Sequence, residues 1–422
     1  MSSPAPERLL EPVPVAPDGA LDLLPRLRDA LSGTGPALLP HPAGRPAAAG
    51  LRPGEPLRRD GDSPEDDPHD PTVAVIATSG STGDPKGALL PASALLASAA
   101  ATHERLGGPG RWLLALPVDH VAGLQVLVRS LVAGTRPGLL AAGGIAEFAS
   151  AATELLGDRP VRCYTALVPT QLVRLLDAGG PALAALAGFD AVLIGGAALP
   201  GQVRERAAAA GVRLVASYGM SETCGGCVYD GVPLPGVRAR IEGGRIRLGG
   251  PVLARGYRRP GAPAGPGAPA GPDGFGQDGF GQDADGRRWF STDDAGRWEL
   301  EPGGERRLTV LGRLDGGITT GGLTVAPAAV EAALLGLPEV GEAVVVGVPD
   351  RQWGERVVAA LVLRPGGGPP TLEQVRHRVA AAVAPEAAPR QLLLLDALPL
   401  RGPGKPDRQA VAARAAADWG IA

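Results

Sequence analysis

The stretch Thr72-Val-Ala-Val-Ile-Ala-Thr78-Ser79-Gly80-Ser81-Thr82-Gly83-Asp84-Pro85-Lys86-Gly87 decides how the rest of the chain is read. Its first seven residues are an uninterrupted run of β-branched and small apolar types, the pattern of a buried strand. A loop follows. Three glycines let backbone N–H groups approach an anion closely, Thr78, Ser79, Ser81 and Thr82 add hydroxyl donors, and Lys86 adds a positive point charge. A helix is expected near 91–106, and a strand before with a helix after is the setting that phosphate loops use. This is not the Walker pattern, because Lys86 does not directly follow a glycine and Gly87 stands where Ser or Thr would. That argues against an ordinary phosphate-loop ATPase or kinase. A glycine-rich surface turn is the bland alternative.

Working outward, 112–116, 161–165, 191–194 and 212–217 read as strands and 125–132 and 171–177 as helices, so α/β layers with a largely parallel sheet are expected. Residues 1–70 read as a small helix with polar loops, Leu21, Leu24, Leu27 and Leu31 sharing a face and Asp22 as its N-cap. After 227 short β-like pieces appear at 239–241, 245–248 and 308–311, which suggests a β-rich subdomain. Residues 260–285 are Gly/Pro-rich with near-repeats and read as a flexible insertion. The last hundred residues form a small α+β unit: a helix at 326–335, strands at 342–347 and 356–363, a helix at 371–383 and a strand at 391–395. Arg376, His377 and Arg378 on that second helix read as a solvated face. The paired glycines of Arg313-Leu-Asp315-Gly316-Gly317 mark the join. The fold class expected is α/β, a large N-terminal domain (1–314) of layered sheets followed by a small mobile α+β domain (315–422).

Composition supplies exclusions. The chain has 422 residues, 44% apolar and 20% charged, which suits a globular protein of more than one domain. A net charge of −3 provides no basic field to grip nucleic acid. No uncharged apolar run reaches the ~18 residues of a membrane span, and the best window, 112–128, is interrupted by Asp119 and His120. No secretory signal is visible, and three cysteines make no disulfide framework, so a reducing cytoplasm is expected. Among 41 basic residues lysine occurs only at Lys86 and Lys405, and asparagine is absent. A drift toward arginine spares positions that need a compact ammonium, so both lysines are functional candidates; chance survival on a solvated face is the alternative.

Residues 78–87 closely resemble the first signature of adenylate-forming enzymes, the superfamily of acyl-CoA synthetases, peptide-synthetase adenylation domains and luciferases. Further matches span roughly 75–410. Ser217-Tyr218-Gly219-Met220-Ser221-Glu222-Thr223 is similar to the adenine and magnesium segment, which implies Tyr218 stacking on the purine and Glu222 holding Mg²⁺. Asp294 falls on the ribose-binding aspartate and Arg313 on the ribose or phosphate arginine. Asp315 matches the hinge residue and 321–327 the loop after it. Gly402-Pro-Gly-Lys405-Pro-Asp-Arg408 resembles the terminal signature whose lysine serves adenylation. The resemblance therefore implies ATP and Mg²⁺, with CoA as co-substrate, and catalytic roles for Lys86, Glu222 and Lys405. It also implies rotation about Asp315 that brings Lys405 in for adenylation and takes it out for thiolation. Two departures stand out: Asp293 replaces the usual glycine before Asp294, which puts negative charge near the ribose and phosphates, and Gly316 replaces an acidic residue.

Other segments resemble, more narrowly, the o-succinylbenzoate–CoA ligase family of menaquinone biosynthesis: 116–123 continuing to Arg129, 165–176, 194–200 with Gly195 and Gly196 beside the nucleotide, and 230–236. That implies a substrate with two carboxylates, of which one is activated and the other needs a cationic pocket. Arg129 and Arg174 are candidates for that pocket, each with a solvated helix face as alternative, and His120 would lie in the acyl-pocket segment or be a satisfied, partly buried histidine. Cys224-Gly-Gly-Cys227 reads as small pocket-lining residues rather than a redox or zinc pair. The partners expected are a small carboxylic acid, ATP and CoA, with no nucleic acid and no integral membrane association, and a homodimer stays open. Another aryl- or acyl-CoA ligase, or an adenylation enzyme loading a carrier protein, is the runner-up; a non-catalytic nucleotide-binding scaffold is the alternative from a different class.

Overall fold

The structure, a computed structural model, describes residues 7–58, 64–79, 85–141, 143–157, 161–258, 275–276, 278–314, 316–320, 323–401 and 406–419. The chain divides into two compact units, one of Met1–Leu199, Glu205–Arg240 and Arg247–Thr292, the other of Pro200–Arg204, Ile241–Ile246 and Asp293–Ala422. As expected, the architecture is mixed α/β with several sheets and a smaller C-terminal part. The units divide at Asp293, ahead of the glycine-rich join at 313–317. No helix among the described residues is long and apolar enough to cross a membrane.

In the first unit, β1 (Leu10–Val15), β2 (Ala37–Pro42), β3 (Thr72–Ser79) and β4 (Pro85–Pro91) form a sheet closed by the edge strand Tyr257–Arg258, with the helix α1 (Leu23–Leu31) between β1 and β2 in the chain. β1 and β2 were not legible as strands. β1 carries Pro12 and Pro14, which deny a ladder two donors; the strand survives because it lies at the sheet edge with a neighbour on one side only. The helix is also phased differently from the expectation. α1 buries Leu23, Leu27 and Ala30, because Leu21 lies in a preceding 3₁₀ turn (Ala20–Asp22) that does not share the α period.

A larger correction concerns the loop expected to bind phosphate. β3 and β4 pair antiparallel with Thr78 opposite Lys86, so the loop joins two strands of a hairpin. The helix, α2 (Ala92–Arg105), begins only after β4. The element that follows the loop in sequence is therefore a strand, and Lys86 stands on it.

The second sheet and the helices that connect its strands run, in chain order, β5 (Gly110–Leu114), α3 (Val121–Ala133), β6 (Gly138–Leu139), α4 (Ile145–Gly157), β7 (Arg162–Leu167), α5 (Pro169–Ala178), α6 (Gly180–Ala187), β8 (Ala191–Ile194), β9 (Leu214–Met220), β10 (Gly225–Tyr229) and β11 (Val232–Pro233). Its strand order is β11-β10-β9-β8-β7-β5-β6. β9, β8, β7, β5 and β6 run parallel, so their carboxyl ends share one edge, the edge where open α/β sheets bind ligands. One apolar core joins both sheets, from Leu27 and Ile76 to Trp112, Leu127 and Tyr229.

Part of the segment read as a flexible insertion is ordered. Phe280–Gln282 pairs with the start of the strand Arg288–Leu300, and Phe275 is buried. Phe280 packs 5.7 Å from Tyr257 and 4.8 Å from Phe290, ring centroid to centroid. Glycine and proline dominate the composition there, but its two phenylalanines carry enough apolar surface to anchor the chain. Residues 259–274 and 277 lie outside the described residues.

In the second unit, the later half of Arg288–Leu300 pairs with Arg306–Arg313. Val340–Asp350 and Gly354–Leu363 form a hairpin, and Gln391–Leu394 adds in parallel. Alternation along the hairpin buries both faces. Val345, Ala359 and Leu361 meet the helices Pro327–Leu334 and Leu372–Ala382 through Val330, Val375 and Val379; Val344, Val358 and Ala360 meet Arg408–Trp419 through Val411 and Ala415. Thr371 caps Leu372–Ala382 and Gln374 returns the bond, a capping box. Arg376 and Arg378 are not merely solvated: they donate to the carbonyls of Pro389 and Ala333.

Candidate active site

The first group of candidates sits at the hairpin. Thr78 donates its hydroxyl to the Lys86 carbonyl at 3.2 Å, and Ser79 ends β3. Gly80, Ser81, Thr82 and Gly83 lie outside the described residues. The Lys86 ammonium stands 5.8 Å from the centre of the Tyr257 ring.

The second group gathers at the carboxyl edge of the parallel sheet. Gly195 and Gly196 follow β8, and the Gly195 N–H donates to Leu167 at the end of β7. Beside them β9 carries Ser217, Tyr218, Gly219 and Met220, and Ser221-Glu222-Thr223 form a 3₁₀ turn into β10. This hairpin is tight because two glycines face each other across it. A Cβ on Gly219 would lie 2.2 Å from the Gly225 carbonyl oxygen, and one on Gly226 would lie 1.9 Å from Ser217 Oγ. Thr223 holds the turn: its Oγ1 accepts from the Met220 N–H at 3.0 Å and donates to the Gly225 carbonyl at 2.7 Å.

Glu222 is held from two sides. Its carbonyl accepts from the Ala254 N–H at 2.8 Å, and its carboxylate accepts the Tyr257 hydroxyl on Oε1. Tyr257 was missed in the sequence because it belongs to no segment read for chemistry. The signal was its rarity, one of four tyrosines in a chain with 3% aromatic residues. Glu222 suits a hard cation such as Mg²⁺, which takes oxygen ligands and is usually bound through one or two carboxylates together with substrate phosphates. Tyr257 occupies one carboxylate oxygen and leaves lone pairs on the other.

Cys224 and Cys227 are fully buried free thiols. Burial pushes the Cys224 thiol far up and that of Cys227 to about 12, so both stay protonated, the opposite of a reactive pair. The Cys224 carbonyl accepts from Gln125 Nε2 at 2.7 Å and Ser98 Oγ at 3.2 Å, which ties the turn to α3 and α2. Among the described residues no group of three or more His, Cys, Asp or Glu is placed to hold a metal ion.

The acid-side candidates separate. His120 is the residue before α3, beyond the carboxyl end of β5, 39% exposed and 3.7 Å from Asp119. Gly123 makes its loop compact, since a Cβ there would lie 2.1 Å from the Pro117 carbonyl oxygen. Gln171 ties the exits of β5 and β7 together by donating to the Ala115 carbonyl and accepting from the Val168 N–H, both at 3.0 Å. Arg174 is exposed on α5, the helix that leaves the carboxyl end of β7. Arg129 is only 3% exposed. It lies 4.9 Å from the Trp112 ring centre and donates to the Tyr229 hydroxyl at 3.4 Å. Burial pulls its guanidinium below the ordinary value, the Tyr229 hydroxyl opposing. Its surroundings are those of a core residue.

In the second unit Asp294 stands opposite Arg313 across the paired strands. The anomalous Asp293 is exposed and ion-paired with Arg245 at 2.8 Å and Arg313 at 3.5 Å, so its charge is compensated locally. Asp315, Gly321, Gly322 and Lys405 lie outside the described residues.

Two family models match the chain, AMP-binding enzyme over residues 29–258 and AMP-binding enzyme C-terminal domain over residues 329–405. A protein of Mycobacterium tuberculosis named probable 2-succinylbenzoate–CoA ligase is 47% identical over 401 residues, covering 94% of this chain and 96% of its own. An o-succinylbenzoate CoA synthetase structure from Bacillus subtilis, in complex with the acyl-adenylate intermediate OSB-AMP, superposes with a TM-score of 0.65 at 25% identity, over 92% of this chain and 80% of that one. The Bacillus subtilis structure in complex with ATP and magnesium ion gives a TM-score of 0.64 at 25% identity, over 89% and 75%.

Proposed function

The chain belongs to the AMP-binding enzyme family, and on that premise we propose that it activates 2-succinylbenzoate with ATP and passes the acyl group to CoA. The observation that carries this reading is the near full-length likeness to a relative named for that reaction. The geometry supports it, because the candidates for holding phosphate and metal, Lys86 and Glu222, both adjoin Tyr257 in one compact unit.

One carboxylate oxygen of the acid attacks the α-phosphorus of ATP, the bond to the β-phosphate breaks, and pyrophosphate leaves. The CoA sulfur then attacks the acyl carbon, and AMP leaves with the bridging oxygen. Two anions must meet in the first step, so the site needs cations and aligned donors. Thr78, Ser79, Gly80, Ser81, Thr82 and Gly83 cradle the phosphates, and Lys86 adds its charge there. Bound Mg²⁺, held by Glu222, supplies further neutralisation of the phosphates. Gly195, Gly196, Ser217, Tyr218, Gly219, Met220 and Ser221 border the adenine, and Asp294 and Arg313 take the ribose. Lys405 serves adenylation from the C-terminal domain, which turns about Asp315 between the half-reactions. Removing one such contact costs about 3–4 kcal/mol of transition-state stabilisation, or 10²–10³ in rate. Of the two arginines proposed for the second carboxylate, the exposed Arg174 fits better than the buried Arg129, with His120 beside the acyl pocket. A reducing cytoplasm is the setting proposed, which suits the free thiols of Cys163, Cys224 and Cys227.

The test is pyrophosphate release with a panel of carboxylic acids, with and without CoA. Release dependent on 2-succinylbenzoate, followed by a CoA thioester, is expected. Release with another acid alone favours a different acyl ligase, thioester on a carrier protein alone favours a loading enzyme, and no release with any acid points to a nucleotide-binding scaffold.

A further inference from the structure

The segment Ala254–Arg258 does more than close a sheet. It laces the Glu222 turn to the phosphate hairpin through a chain of bonds. The Ala254 N–H donates to the Glu222 carbonyl at 2.8 Å, the Arg255 N–H to the Leu89 carbonyl at 2.8 Å, and the Leu89 N–H to the Gly256 carbonyl at 2.9 Å. Tyr257 and Arg258 then pair with Ala88 and Gly87 of β4, next to Lys86. From that position the Tyr257 hydroxyl donates to Glu222 and its ring faces the Lys86 ammonium. The far end is fixed in the interior. Arg258 is fully buried, with its guanidinium bonded to the carbonyls of Leu51 at 2.6 Å, Arg52 at 3.0 Å and Pro56 at 3.1 Å and to Glu65 at 2.8 Å. Phe280 packs against the tyrosine ring in an edge-on arrangement.

We infer that Tyr257 is a positioning residue that orients the Glu222 carboxylate toward a divalent cation and keeps Lys86 in register with it. The inference rests on the proposed function for the identity of the cation's partner, a nucleoside triphosphate. A carboxylate on a free side chain must give up rotamer freedom to bind a cation. A hydroxyl fixed on one of its oxygens has already restricted that freedom, and the other oxygen is aimed by default. The ring contributes separately, since an ammonium over an aromatic face is attracted by its quadrupole.

The hydroxyl is isolated by Tyr257→Phe, which retains the ring, its packing on Phe280 and the strand pairing. The probe is Mn²⁺, followed by electron paramagnetic resonance in the presence of α,β-methylene-ATP. Partners one step removed from a metal change its affinity by about 10–100-fold, so Mn²⁺ binding weakens by at least about tenfold in Tyr257→Phe. AMP binding measured without metal stays as in the wild type, and in the Glu222→Gln background the tyrosine substitution adds nothing. Equal loss of Mn²⁺ and AMP binding would mean a structural role only and overturn the inference. So would unchanged Mn²⁺ affinity, or additive effects of the two substitutions. Failure of the proposed function reads out differently. Wild-type protein would then bind Mn²⁺ with the nucleotide analogue, lose that binding in Tyr257→Phe, and still release no pyrophosphate with 2-succinylbenzoate.

Discussion

Replacing Arg258 by methionine removes the interior anchor of the Tyr257 strand while roughly keeping side-chain volume. Arg258 and Glu65 are both buried, 2.8 Å apart. Breaking one partner of a buried pair costs about 3–5 kcal/mol, because the other charge stays behind uncompensated. Two local features modify that figure in opposite directions. Glu65 keeps Arg52 at 3.0 Å and Arg58 at 3.4 Å, which lowers the cost. The carbonyls of Leu51, Arg52 and Pro56 lose a charged donor, which raises it by about 1 kcal/mol for each one left dry. A net loss of about 3–5 kcal/mol corresponds to a fall in melting temperature of roughly 6–10 °C, at about 2 °C per kcal/mol in a unit of this size. Thermal unfolding by circular dichroism, paired with pyrophosphate release at 25 °C, measures both consequences: a lower transition, and activity reduced in the protein that remains folded. A shift under about 2 °C with unchanged release would show that the buried pair neither anchors the strand nor serves the site.

Other consequences follow from the same geometry. Gly219→Ala forces a methyl group against the Gly225 carbonyl across the β9–β10 hairpin, and backbone displacement of this sort costs about 1–3 kcal/mol; melting falls accordingly and Mg²⁺-dependent pyrophosphate release falls with it, whereas a variant as stable and active as wild type would contradict the tight-hairpin account. His103 is buried, and burial, with the Arg129 charge nearby, lowers its pKa from 6.5 to about 4. The folded form thus binds the proton less readily than the unfolded chain, so His103 stabilises above pH 6.5 and that contribution, about 3 kcal/mol, is lost as pH falls from 6.5 to 4; His103→Gln flattens the stability curve across that window, and identical curves would refute it. Arg174→Ala raises the KM for 2-succinylbenzoate with little change in melting, whereas Arg129→Ala lowers melting first; the reverse pattern would return the second carboxylate to Arg129.

Much of the fold was legible because the strands of the parallel sheet are short apolar runs between helical patterns, as at 191–194 and 161–165. What escaped did so for physical reasons. Prolines hid β1, since a strand with missing donors reads as a loop until it is known to lie at an edge. Composition hid the ordering at Phe275 and Phe280, since glycine and proline outvote two phenylalanines, and the ring partners of Phe280, Tyr257 and Phe290, lie outside that stretch. The strand expected at 72–78 is present, but periodicity cannot tell a strand-to-helix loop from a hairpin whose second strand is Pro85–Pro91. Among the candidates, Glu222 and Lys86 stand in contiguous motifs, while the contacts of Tyr257 with both are invisible in the sequence because they depend on long-range pairing with β4. Arg129 and Arg174 looked equivalent because helical spacing alone does not show which face turns into the core.

Attack of the acid on the α-phosphorus of ATP leaves a record in the oxygen atoms of the products. With 2-succinylbenzoate labelled with ¹⁸O in its carboxylates, ATP and CoA, one labelled oxygen is expected in the AMP formed alongside the CoA thioester. Label in inorganic phosphate, with ADP as the nucleotide product, or AMP free of label, would contradict it.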